Sequence, residues 1–166
     1  MSKSFLALFF LAVSTLGYSQ KVNNPEFEKV LESNLKSDVP EIDVTTLKQF
    51  EDVVIFDARS EREYNVSHIK GAILLDFVSF DINALKGYSK RGAYVVYCSV
   101  GSRSEQVTKL LIENGYKQTF NLYGGIFEWT NLGNPVVDSN NNPTNKVHGV
   151  TKDWAKWIEK AEVVLD

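Results

Sequence analysis

Four short uncharged runs stand out along the chain after residue 50: Val53-Val54-Ile55-Phe56, Ala72-Ile73-Leu74-Leu75, Tyr94-Val95-Val96-Tyr97 and Thr119-Phe120-Asn121-Leu122. Such runs, rich in β-branched and aromatic residues and without strict alternation, predict strands buried on both faces, as in a parallel sheet. Between them the apolar period lengthens to that of a helix. Val107, Leu110 and Leu111, stopped by Asn114-Gly115, predict a helix that begins near Ser102. Ser60 with Glu63 is a capping-box pattern for another, and Ile126, Phe127 and Trp129 mark a third after the tight Gly124-Gly125 turn, which also reads as one wall of a pocket. Val78 to Leu85 reads as a mixed helix and Lys86 to Gly92 as a polar connection. Upstream, Asn24-Pro25 suits an N-cap and first turn, with Phe27, Val30, Leu31 and Leu35 on one face. Pro40 and Asp43 then precede a short helix with Leu47 and Phe50 inward. Downstream, Asn134 to Asn145 reads as a surface loop, and a last helix from Thr151 turns Trp154, Trp157, Ile158 and Ala161 inward as core cover. Strands alternating with helices predict one α/β domain: a mainly parallel central sheet with helices on both faces.

The N-terminus follows a different pattern. Lys3, the apolar run Phe5 to Val13 and then Gly17-Tyr18-Ser19-Gln20 predict a cleavable signal peptide over residues 1–19, a helical extension over 20–39 and the α/β domain over 40–166. The apolar run is shorter than the ~20 residues a membrane span needs, so the expectation is an exported protein, periplasmic or secreted, with no stable membrane insertion after cleavage. With 18 basic against 21 acidic residues and a net charge of -3, nothing in the chain favours nucleic acid.

The candidate chemistry centres on Cys98, the only cysteine, which cannot form an internal disulfide. It sits at the carboxyl end of the Tyr94–Tyr97 strand and opens the loop Ser99-Val100-Gly101-Ser102-Arg103-Ser104, which leads into a helix. Backbone N–H groups at a helix start, together with the Arg103 cation, favour a thiolate over a thiol. The competing reading is a buried structural cysteine, but such residues sit within strands or helices rather than opening a Ser/Gly/Arg loop. Asp57 and Arg59 fall at the carboxyl end of the neighbouring strand, the edge at which parallel sheets bind ligands, which makes Arg59 a further candidate for substrate contact beside a structural role. Glu63 reads as a helix-start device. His68 invites a cysteine–histidine dyad, and His148 lies in a polar tail segment; two histidines with no second cysteine or carboxylate cluster make no metal site, and no cofactor is expected.

Three blocks give the chain its resemblance to the rhodanese family: Val54 to Arg59 with Glu63-Tyr64 and Ser67-His68-Ile69-Lys70-Gly71-Ala72, the Cys98 to Ser104 loop, and Leu122-Tyr123-Gly124-Gly125-Ile126-Phe127-Glu128-Trp129. The resemblance implies a single rhodanese-like domain and a sulfurtransferase that carries sulfur as a persulfide on the loop cysteine. It implies a scaffold role for Asp57 and a structural turn at His68. The loop has four residues between Cys98 and Arg103. This matches the sulfurtransferases of the family; the related phosphatases have one more. The expected partners are a small sulfur donor such as thiosulfate and a thiol or cyanide acceptor, protein thiols included. The other function class is a non-catalytic binding or regulatory module, which the retained Cys98 argues against.

Overall fold

The computed structural model describes residues 22–166, so the signal peptide expected over 1–19 lies outside the described residues. The central sheet has five strands in the order β1-β5-β4-β2-β3, namely Glu41–Ile42, Gln118–Leu122, Ala93–Tyr97, Val53–Asp57 and Ile73–Leu74. All four pairings are parallel. β4 is the middle strand, with Phe56 in register with Val96 on one side and Asn121 on the other. Its side chains alternate between two cores. Val95 and Tyr97 join Phe27, Leu31, Leu122, Ile126 and Phe127, while Tyr94, Val96 and Cys98 join Phe56, Val107, Leu111 and Tyr116. The uncharged run is therefore a strand that packs on both faces, as a parallel sheet requires.

Helices cover both faces. α1 (Pro25–Asn34) and α5 (Gly125–Asn131) pack on the first core, and α4 (Ser102–Glu113) on the second. The Asn24 carboxamide caps α1 by accepting the N–H groups of Glu26 and Phe27 at 2.9 and 3.2 Å, as the Asn-Pro pattern predicts. Two buried carboxylates fasten the segment that carries α1: Glu128 accepts the Asn23 N–H at 2.8 Å, and Glu105 accepts those of Lys36 and Ser37 at 3.1 and 2.6 Å. α2 (Val44–Leu47), capped by Asp43, and α3 (Glu61–Val66), opened by the Ser60–Glu63 capping box, complete the body of the domain.

Three segments depart from the sequence pattern. Val78 to Leu85 is a bend followed by a single 3-10 turn over Ile82–Leu85. Asp76 and Asp81 each accept the N–H two residues on, a local bond that competes with the helical ladder, and Val78 is almost fully exposed, while Phe80, Ile82 and Leu85 still pack on the second core. Asn134 to Asn145 is a hairpin of β6 (Val136–Val137) and β7 (Pro143–Thr144), held to the body by reciprocal backbone bonds between His68 and Val137. The expected last helix is one turn, α6 (Lys152–Ala155), inside a parallel pair of β8 (Lys146–His148) and β9 (Glu162–Val164). Asn131 ends that helix by offering other partners: its amide donates to the Trp157 carbonyl and its oxygen accepts the Glu159 N–H, each at 2.8 Å. His148, expected in a polar tail, is buried with its Nε2 2.8 Å from Asp166 Oδ1. Among the described residues no helix is long and apolar enough to cross a membrane.

The Asn131 side chain bonds both sides of the Trp157–Glu159 bend. Asn131→Ala should lower the unfolding free energy by about 2 kcal/mol, seen as an earlier urea midpoint, because two backbone groups lose their partner; an unchanged midpoint would show the bend to be held by packing alone.

Candidate active site

The Cys98 loop rests on the start of α5. The carbonyl of Cys98 accepts the Ile126 N–H at 2.9 Å and that of Ser99 accepts the Phe127 N–H at 3.1 Å. Two backbones meet this closely only because Gly125, at φ 56, has no side chain: a Cβ there would lie 2.7 Å from the Ser99 carbonyl carbon. The Gly124-Gly125 turn is thus the floor under the loop and not, as expected, a wall of the pocket. Gly101, at φ 119, is the N-cap of α4 and turns its N–H onto Cys98 Sγ at 3.2 Å.

Cys98 is 1% exposed. Burial alone pushes a thiol pKa up. Here the Arg103 cation, the Ser104 N–H and hydroxyl and the Gly101 N–H outweigh burial and hold Cys98 below the ordinary thiol value. Ser104 is itself positioned, its Oγ 2.7 Å from Asn121 Oδ1 and 3.0 Å from the Gly101 carbonyl. Arg103 does not swing freely. Its Nη1 and Nη2 donate to the two Glu63 oxygens at 2.7 and 2.6 Å, and Nη2 also reaches Ser99 Oγ at 3.0 Å, which in turn donates to Glu63. Glu63 is therefore both the cap of α3 and the clamp on the cysteine loop. Local sequence shows only the first role, because the second joins residues 40 apart. Burial raises the Glu63 pKa, but the bonds and charge of Arg103 and the Ser60 bonds overcome it and bring the carboxyl down to about 2.

Over the thiol lies a cavity of about 60 Å³, lined by Cys98, Ser99, Val100, Ser102 and Arg103 and roofed by Val150 and Trp154. The five loop residues are those expected from sequence. The roof is not: Trp154 reads there as core cover, and Val150 carries no motif. Val150 takes φ 65, a left-handed conformation that a β-branched residue adopts only when its surroundings impose it.

The candidate contact of Arg59 with substrate is corrected by its burial. The guanidinium is fully enclosed, ion-paired with Asp57 at 2.8 Å, bonded to the Ser67 carbonyl at 2.5 Å and set 5.6 Å from the Tyr97 ring centroid, away from the cavity lining. It braces the strand end. His68 also stays away from the thiol: it stacks on Tyr64 at 3.8 Å, with Nδ1 3.1 Å from the Tyr64 carbonyl. Among the described residues no group of histidine, cysteine and carboxylate side chains forms a metal site.

Residues 43–132 match the family model for the Rhodanese-like domain. The chain is 33% identical over 91 residues to thiosulfate sulfurtransferase GlpE of Coxiella burnetii, covering 55% of this chain and 83% of that protein. It is 30% identical over 91 residues to the tRNA uridine(34) hydroxylase of Cytophaga hutchinsonii, covering 50% of this chain but spanning only 28% of that longer protein. The solution structure of the rhodanese-like domain of an Anabaena sp. protein superposes with a TM-score of 0.55 at 26% identity, covering 60% of this chain and 79% of the other.

The clamp gives a pH signature. A carboxylate whose folded pKa lies below its unfolded value stabilises the fold above the unfolded pKa, and that contribution is lost as pH falls through the folded one. For Glu63 the window runs from about pH 4.5 down to about 2. Glu63→Gln should cost about 2 kcal/mol at neutral pH, where a bond to a charged group is lost, and should flatten the acid limb of stability in that window. A variant that tracks wild type through the window would show that other carboxylates dominate acid unfolding.

Proposed function

Because the chain belongs to the rhodanese-like domain family, we propose that it is a sulfurtransferase in which Cys98 is the nucleophile and carries the transferred sulfur. The observation that carries this reading is the enclosed Cys98 thiol at the loop, with the Gly101 N–H on Sγ at 3.2 Å and the Arg103 cation lowering its pKa, since the thiolate is the attacking form of cysteine. The thiolate attacks the outer sulfur of a donor such as thiosulfate. The donor's S–S bond breaks, its electron pair leaves with sulfite, and Cys98 holds the outer sulfur as a persulfide. The Gly101 and Ser104 N–H groups, fixed before the reaction, are positioned to stabilise the new anion. An acceptor thiolate or cyanide then attacks the outer sulfur, and the pair of the broken S–S bond returns to Cys98. The cavity of about 60 Å³ is close to two water volumes and suits a sulfur atom with little beside it.

Ser99 to Ser104 supply the ring and Arg103 its charge. Arg103 acts through position and field, because both of its terminal nitrogens are committed to Glu63. A merely binding module would have no use for a buried thiol whose pKa the Arg103 cation and the loop donors lower against burial, which supports catalysis over the regulatory alternative. We further propose export: loss of residues 1–19 would leave a chain that starts at Gln20, two residues before the buried Val22.

Wild type incubated with thiosulfate should gain the mass of one sulfur, and Cys98→Ser should gain none and transfer none while its circular dichroism stays native. Arg103→Ala should slow alkylation of Cys98 at slightly acid pH. With only four residues between Cys98 and Arg103, wild type should leave aryl phosphates intact; their hydrolysis through Cys98 without a mass gain would overturn the assignment. Mass analysis of the native protein should find Gln20 at or next to its N-terminus, and an intact Met1 would refute export.

A further inference from the structure

A second, larger cavity lies against the roof of the first. It holds about 260 Å³ and is lined by Val30 and Asn34 of α1 and by Asp153, Trp154, Lys156 and Trp157. Trp154 lines both spaces, so the cavity over the thiol and this outer groove adjoin at that residue. The groove is built entirely from residues outside the stretch 43–132 that matches the family. Its second aromatic wall is fixed: Trp157 stacks on Phe27 at a centroid distance of 5.4 Å, and its backbone carbonyl is held by Asn131.

The rim carries two opposite charges. Asp153 and Lys156 are three residues apart, a spacing at which acid and base commonly pair along a helix. Neither forms an ion pair among the described residues; the Lys156 ammonium stands over the Trp157 ring at 5.2 Å. A rim with one unpaired carboxylate and one unpaired ammonium, around apolar indole walls, complements a small molecule that itself carries an ammonium, a carboxylate and a short apolar arm. The volume falls just below the range of pockets for drug-sized ligands, roughly 300–1,000 Å³, which fits a solute of amino-acid size and leaves no room for a folded domain.

We propose that this groove is the acceptor subsite and that its ligand is a small zwitterionic thiol of the α-amino-acid type. The proposal rests on the sulfurtransferase reading and names the acceptor for it. Lys156 takes the carboxylate, Asp153 the ammonium, and the thiol-bearing arm passes the edge of Trp154 toward Cys98. There the acceptor thiolate attacks the outer sulfur of the Cys98 persulfide, a new S–S bond forms, and the old one breaks with its electron pair left on Cys98. The outer sulfur departs as the acceptor's persulfide anion and Cys98 is left as the thiolate, so charge is conserved and no further oxidant or reductant enters. Trp154 becomes a specificity-determining residue, since the acceptor must pass it and the donor need not fill the groove.

The test separates loading from unloading. The full protein is loaded with thiosulfate, and the loss of the extra sulfur is followed by intact mass against rising concentrations of four probes: cysteine, mercaptopropionate, cysteamine and mercaptoethanol. Wild type should reach half-maximal unloading at the lowest concentration with cysteine. Lys156→Ala should raise that concentration two- to fivefold for cysteine and mercaptopropionate, the scale of one exposed ion pair, and Asp153→Asn should do the same for cysteine and cysteamine. Neither should alter mercaptoethanol. Both side chains are exposed, so these variants fold. Trp154→Ala should narrow the preference among the four thiols. If loading itself fails, the sulfurtransferase reading falls first. If loading is normal but all four thiols unload wild type and both charge variants alike, the subsite is refuted; it is equally refuted if the variants impair only a reduced protein dithiol used as acceptor.

Discussion

Cys98 Sγ is enclosed at the end of the central strand, where the Gly101 N–H turns onto it, and much of the surrounding fold follows from how its loop is seated. The loop can curl around Sγ only if its first two carbonyls, those of Cys98 and Ser99, find donors elsewhere. The first turn of α5 provides them through Ile126 and Phe127. That in turn demands a glycine at 125, because backbone meets backbone where a side chain would stand. The position of α5, the register of β5 before it and the seat of the cysteine loop are thus one constraint seen from three sides. Glu63 adds the lateral tie: by gripping Arg103 and Ser99 together it sets the width of the ring as well as its charge.

The parts of this arrangement legible in the sequence are those encoded over a few residues. The strand Tyr94–Tyr97, the α4 start near Ser102, the Asn24 cap and the Ser60–Glu63 box each depend on neighbours in the chain, and each is found where the pattern places it. The loop residues around Cys98 are legible for the same reason. The second role of Glu63 is not, since no local pattern tells a capping carboxylate from one that also meets an arginine forty positions away. Arg59 fails in the opposite sense. Its position at a strand end marks it for ligand contact, but Asp57, Ser67 and Tyr97 close around it, and these partners come from three separate segments.

The C-terminal segment misleads most. Trp154, Trp157, Ile158 and Ala161 have helical spacing, and in isolation that spacing is sound. What overrides it is Asn131, which supplies the bend with hydrogen bonds a helix would have taken from its own backbone, and Val147, whose complete burial draws the chain back into a strand pair. Tertiary partners outweigh propensity here, and the gain is functional geometry: a helix continued past Ala155 would carry Trp157 away from the α1 face that it covers.

The attachment of α1 also bears on the order in which the molecule assembles. Its anchors are Glu128, Glu105 and Trp157, and the Asn24 amide reaches Glu159 at 2.6 Å across 135 positions of the chain. Helix α1 is therefore among the last elements to find its partners, since it waits for Trp157 and Glu159, far along the chain. Contacts of such long range carry a large loop-closure cost and form late. Reversed, the same reasoning makes α1 and the Trp157 bend a cooperative unit of their own, one that opens at lower free energy than the sheet. Amide protons of α1 and the Trp157 bend would then exchange with solvent ahead of those of β4, and the outer groove would come apart while the ring around Cys98 stays closed.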